Sequence, residues 1–97
     1  MLLPVTLGEA IRHDHSRPFT GRTIEIDGQT RLYTDQIKWM GLTGVSWLPA
    51  TVVPIGQIET KPVGVQIAGP FLEDRTTLAV GRFLQDALGG FQRPSGF

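Results

Sequence analysis

The stretch KPVGVQIAGPFLEDRTTL, residues 61–78, begins as one kind of element and ends as another. Val63, Val65 and Ile67 alternate with Gly64, Gln66 and Ala68, so one face is branched and bulky and the other is small, the pattern of a strand covered on both sides. Gln66 on the small face needs a hydrogen-bond partner or costs about 1–3 kcal/mol, so it reads as a structural residue bonded to the backbone. From Glu73 the period becomes helical. Leu78, Ala79, Phe83, Leu84, Ala87 and Leu88 form a broad apolar stripe, Glu73 and Asp74 stand at the positive N-terminal end, and Gly89-Gly90 forms the stop. If that stripe packs on the sheet, Leu84→Ala costs about 2–5 kcal/mol.

Working outward, the apolar run Thr51 to Ile55, opened by Pro49, predicts a second core strand. Upstream, Thr23–Ile26 and Gln29–Leu32 flank Asp27-Gly28, a dipeptide that favours a two-residue hairpin turn. Thr34 or Asp35 can cap a short helix in which Ile37, Met40 and Gly41 share a face and which Gly41 and Gly44 stop. Leu2–Val5 reads as a short strand or as the frayed start of something longer, residues 7–22 as a loop, and residues 91–97 as a loose tail. The sum is an α/β chain, residues 1–97 as one fragment-like domain: two core strands, a small hairpin, one short and one long helix.

Composition bounds the function. The chain has 97 residues, of which 12 are glycine and 7 proline, with 40% hydrophobic, which suits a loop-rich globular piece with a small core. Nine basic and nine acidic residues cancel, and no basic run exists, so the footprint of a nucleic-acid binder is missing. There is no cysteine, which accords with a reducing cytoplasm, and no 18-residue apolar stretch or basic-then-apolar leader, so neither a membrane span nor a secretory signal is expected.

Chemistry-bearing motifs are sparse. His13-Asp14-His15 offers two metal-type ligands, but a full site needs three or four, and there is no other histidine or cysteine, so a loop satisfying its own backbone is the simpler reading and no metal or cofactor is expected. Ser16 and Ser46 lie in no strand-turn-helix serine motif. Gly41-Leu42-Thr43-Gly44 lacks the spacing of a phosphate-binding loop. Trp39, Trp47 and Phe71 could line an apolar pocket, although aromatic residues beside core strands more often belong to the core.

The order Leu48-Pro49-Ala50, Pro54-x-Gly56, then Pro62-Val63-Gly64-Val65-Gln66-Ile67-x-Gly69-Pro70 with Glu73-Asp74 and a leucine-rich helix resembles the C-terminal end of the amidase signature family. The likeness is good over residues 44–88, and Leu2-Leu3-Pro4-Val5, the His13 loop and the segment from Tyr33 to Trp39 resemble a bacterial branch of it. One departure stands out. Where the family usually has Asn-Leu-Thr-Gly before Leu-Pro-Ala, this chain has Gly44-Val45-Ser46-Trp47, an indole where glycine is common.

The resemblance implies the C-terminal part of an α/β/α sandwich from an enzyme of several hundred residues that hydrolyses carboxamide C–N bonds with a serine nucleophile, a second serine and a lysine base. This chain has no Gly-Gly-Ser-Ser run, and neither Lys38 nor Lys61 lies in a matching motif, so no catalytic residue is assigned. The expected role is scaffold and substrate-channel wall, with Ile37, Gly41 and Trp47 as channel residues, in a chain that is catalytically silent alone. The expected partners are the remainder of an amidase chain or further copies of this one, with a small amide as substrate only in the intact enzyme. The alternative is a stand-alone, self-associating interaction module. In either case strands 51–55 and 63–68 are expected to lack their outer neighbours.

Overall fold

The computed structural model describes residues 1–15 and 18–93; the Ser16 reading and the 94–97 part of the expected tail lie outside them. Among the described residues the architecture is mixed α/β, with seven regular elements apart from two 3₁₀ turns. They are β1 (Leu2–Pro4), β2 (Thr23–Ile26), β3 (Gln29–Leu32), α1 (Lys38–Val45), β4 (Ala50–Ile58), β5 (Lys61–Ala68) and α2 (Asp74–Leu88).

The β2–β3 hairpin has the expected register, Thr23 opposite Leu32 and Ile26 opposite Gln29. Asp27 and Gly28 take φ 51° and 73°, the mirror-image turn whose twist matches that of the flanking strands. Ile24 is the buried member of this unit.

The main sheet is antiparallel in the order β1-β5-β4. β4 and β5 pair from Ala50/Ala68 to Ile58/Lys61, with a bulge between Pro54 and Gly56. Pro54, which has no N–H to give, is tolerated because β4 lies at the sheet edge and the bulge follows at once. β1 closes the other side of β5, with Leu2 opposite Ile67. The ladder continues at its end: the Met1 ammonium donates to the Ala68 carbonyl at 2.7 Å, and Ala68 N–H donates to the Met1 carbonyl at 2.8 Å. This corrects one expectation. From Val65 to Ala68 both edges of β5 are paired, whereas the β1 side of residues 61–64 and the outer row of β4 have no strand against them among the described residues.

α2 covers one face of the sheet. Its Gly81 lies against Val53, Thr51 and Ile67, where a β-carbon would stand 3.2, 3.3 and 3.6 Å from their side-chain carbons. One turn earlier the Thr77 hydroxyl accepts from Thr51 Oγ1 at 2.9 Å and donates to the Asp74 carbonyl at 2.8 Å. Thr77 and Gly81 are thus the buried residues of α2 and Leu84 is half-buried. The expected central residue of the stripe is not there: Phe83 is 71% exposed, and Leu78, Ala87 and Leu88 also face outward. A helix approaches a twisted sheet most closely where its side chains are smallest, so threonine and glycine outcompete the larger apolar residues for the contact. The C-terminal stop is as expected, with Gly89 left-handed at φ 88° and its N–H bonded to the Gln85 carbonyl.

On the opposite face, Tyr33–Ile37 forms a 3₁₀ turn that runs into α1. No side chain caps either start; Asp35 pairs instead with Lys38 at 3.0 Å and Arg31 at 4.0 Å. α1 passes through Gly41 and Gly44 to Val45, so the glycines do not stop it. Glycine in a helix costs only about 1 kcal/mol against alanine. What ends α1 is a carbonyl-capping turn in which Trp47 N–H reaches the Gly44 carbonyl at 3.5 Å and Leu48 N–H the Thr43 carbonyl at 3.1 Å, with Trp47 left-handed at φ 53°. Among the described residues no helix is long and apolar enough to cross a membrane.

Candidate substrate-channel wall

Gln66 ties the sheet to this second layer. It is 3% exposed, and its Nε2 donates to the Trp39 carbonyl at 3.4 Å, the backbone partner expected of it. Where Gln66, Ile67 and Ala68 run, β5 is buried on both faces; toward Val63, Gly64 and Val65 it is only half-buried, and a cleft opens.

That cleft, about 570 Å³, has Val52, Pro54, Val63 and Gly64 as its floor, the strap from Val5 to Ala10 as one wall and Gln36 at another. Lys61 fastens the strap by an ion pair with Glu9, and Gly8 packs against Ile26 of the hairpin. The lining is apolar apart from Thr6, Glu9 and Gln36. Thr6 Oγ1 donates to the Gly8 carbonyl and Gln36 Nε2 to the Tyr33 carbonyl at 3.4 Å, so the polar groups mainly brace the wall. This arrangement can hold an apolar group. It brings together no hydroxyl with a base that could activate it.

The residues expected to line a channel lie elsewhere. Ile37 ends the 3₁₀ turn and is exposed, and Gly41 is half-buried in α1 with nothing within 4 Å of where a β-carbon would sit. Trp47, at the far end of α1, is 81% exposed. Ile37 directly precedes α1, Gly41 lies within it and Trp47 follows it in the capping turn, and none of the three lines the cleft. Nor are the aromatic residues core: Phe71 is 61% exposed and Trp39 half-buried. Sequence reasoning did not foresee the strap, Gln36 or the floor at Gly64; the small face of β5 was the available signal, because glycine lets Val5 of the strap come close, 3.5 Å from where a β-carbon would sit.

His13 and His15 stack edge to face with ring centroids 5.9 Å apart, and among the described residues no three metal-type ligands gather. Ser46 is the capping residue after α1 and leads into a turn, with no helix following it.

No family profile matches the chain. Against individual proteins, 58 residues, 59% of the chain, are 39% identical to fatty-acid amide hydrolase 2-A of Danio rerio, covering 11% of that protein. A 70-residue stretch, 72% of the chain, is 33% identical to a glutamyl-tRNA(Gln) amidotransferase subunit of an Exiguobacterium species, covering 14% of it. Fatty-acid amide hydrolase 2-B of Danio rerio is 35% identical over 58 residues. The match thus spans between a tenth and a seventh of the length of these relatives.

Proposed function

We propose, because over its matched residues this chain belongs to the amidase signature family, that it is the C-terminal part of a carboxamide-hydrolysing enzyme, supplying scaffold and one wall of the substrate channel and inactive by itself. The observation that supports this best is the layering around β5: Gln66 binds the α1 layer on one side while Ile67 meets Gly81 of α2 on the other. Over Gln66–Ala68 β5 is thus buried between two layers, as the middle of an α/β/α sandwich requires. Ile37 just before α1 and Trp47 just after it are exposed, with Gly41 half-buried between them, and a covering chain would meet them there as channel residues. The substrate would be a small amide bound only when the remainder of the enzyme is present, in the cytoplasm, as the absence of cysteine allows.

Amide hydrolysis needs an activated nucleophile and a preorganised oxyanion site, and these residues furnish neither. The purified chain is therefore expected to release no ammonia from butyramide or benzamide above the buffer rate in a coupled assay. Turnover that survives repurification and vanishes in Ser46→Ala or His13→Ala would overturn this reading. An in-frame Gly-Gly-Ser-Ser coding sequence upstream of codon 1 would support it directly.

A second reading, a self-associating module, is favoured by the amount of apolar surface left outward, including Val45, Trp47, Leu72, Phe83 and Phe91.

A further inference from the structure

The strap that follows β1 has open space on two sides. The cleft over Gly64 lies on one side, and on the other is a second cleft of about 700 Å³, lined by the strap together with Ile24, Ile26 and Tyr33 from the β2–β3 region. Gly8, Glu9 and Ala10 line both, so this part of the strap is a partition between two cavities. A segment with a void on either side is not held by close packing and keeps its place through discrete contacts.

Those contacts are few. Val5 Cγ2 lies 3.5 Å from where a β-carbon on Gly64 would stand, and Gly8 sits so near Ile26 Cδ1 that a β-carbon there would come within 2.9 Å. Thr6 Oγ1 donates to the Gly8 carbonyl at 2.7 Å, a bond inside the strap. From Thr6 to Ala10 no backbone group bonds to another element among the described residues. Their one polar tie to the rest of the chain is Glu9 to Lys61, 52 residues away at the start of β5. The two side chains are 42% and 38% exposed, so water and salt compete with the pair.

We propose that residues 6–10 are a hinged flap, latched by the Glu9–Lys61 ion pair, whose release joins the two clefts and opens the floor at Gly64 to an uncharged apolar ligand. Pro4, opposite Val65, is the last residue of β1 in the ladder and so the fixed point about which the flap swings. The floor, Val52, Pro54, Val63 and Gly64, carries no charge, and a charged ligand would give up its hydration there with nothing in exchange. Salt weakens the latch and favours the open flap. All the parts lie within this chain, so the flap is tested independently of the amidase reading.

Nuclear magnetic resonance on the whole chain reads both ends of the strap. At low salt, wild type is expected to show nuclear Overhauser contacts from a Val5 methyl to Gly64 and from the Ile26 δ-methyl to Gly8. In Glu9→Ala or Lys61→Met both contacts are expected to weaken several-fold and the amides of residues 6–10 to gain fast motion, with the melting midpoint close to wild type because the pair is half-exposed. High salt should do the same to wild type and add nothing to Lys61→Met. Glu9→Lys combined with Lys61→Glu, which rebuilds the pair in reverse, should restore both contacts. The uncharged dye Nile red should fluoresce several-fold more with the two single variants than with wild type, and Val52→Lys, at an exposed floor position, should abolish that gain. Contacts missing from wild type at low salt, or unchanged in both single variants, overturn the latch. Release of the strap without a gain in dye fluorescence, or a gain that survives Val52→Lys, overturns the ligand site.

Discussion

The docking of α2 turns on a short relay of hydroxyls, which makes Thr77→Val a direct test. Thr51 Oγ1 donates to Thr77 Oγ1 at 2.9 Å, and Thr77 Oγ1 donates to the Asp74 carbonyl at 2.8 Å. Valine keeps the branched shape and nearly the same helix propensity, so the substitution removes the hydroxyl and little else. Thr77 is 2% exposed, so water cannot replace what is lost on its side, whereas Thr51 is half-buried and can recover part of its bond. A net hydrogen bond contributes about 0.5–1.5 kcal/mol and an abandoned buried donor costs about 1–3, which places Thr77→Val at about 1–2 kcal/mol. In a domain of this size that lowers the thermal midpoint by roughly 5–15 °C. Thr51→Val should cost less, about 0.5–1 kcal/mol, since Thr77 keeps its bond to Asp74. The double variant should cost less than the two added together, by about 0.5–1.5 kcal/mol, because removing both partners leaves no orphan. Urea melts followed by far-ultraviolet circular dichroism measure all three. Strict additivity, or a Thr77→Val midpoint equal to wild type, would show that α2 does not sit on β4 through this contact.

Gly69→Ala is expected to destabilise by about 1–3 kcal/mol in the same melts, because a β-carbon there would come within 2.5 Å of Thr77 Cγ2, which the hydroxyl relay holds in place. Leu84→Ala should cost about 1–2 kcal/mol, below the range for a fully buried leucine, and Phe83→Ala less than Leu84→Ala in spite of its larger side chain, since Leu84 is half-buried and Phe83 outward; the reverse order would restore the apolar stripe as the packed face. Gly28→Ala should cost about 1 kcal/mol, read as a lower melting midpoint, because Gly28 holds φ 73° in the hairpin turn.

The amino-acid sequence by itself determined the features that depend on neighbours along the chain. Asp27-Gly28 dictates the turn because few other dipeptides accept two positive φ values. Gly89 ends α2 for the same reason, and the alternation from Val63 to Ala68 declares a strand, covered on both faces where Gln66, Ile67 and Ala68 run. The likeness to amidases was legible too, since it lies in the order of motifs, but the cleft over Gly64 was not, because cavities form between segments distant in sequence. Only the tertiary structure decided that Leu2–Pro4 pairs with β5, that the strap from Val5 to Ala10 walls a cleft over Gly64, and that α2 presents Thr77 and Gly81 to the sheet while Phe83 faces out. Turning rules act over a few bonds and are written locally. Which face of a helix is buried depends instead on how close two surfaces can come, and here the smallest side chains set that distance, something hydrophobic periodicity does not record.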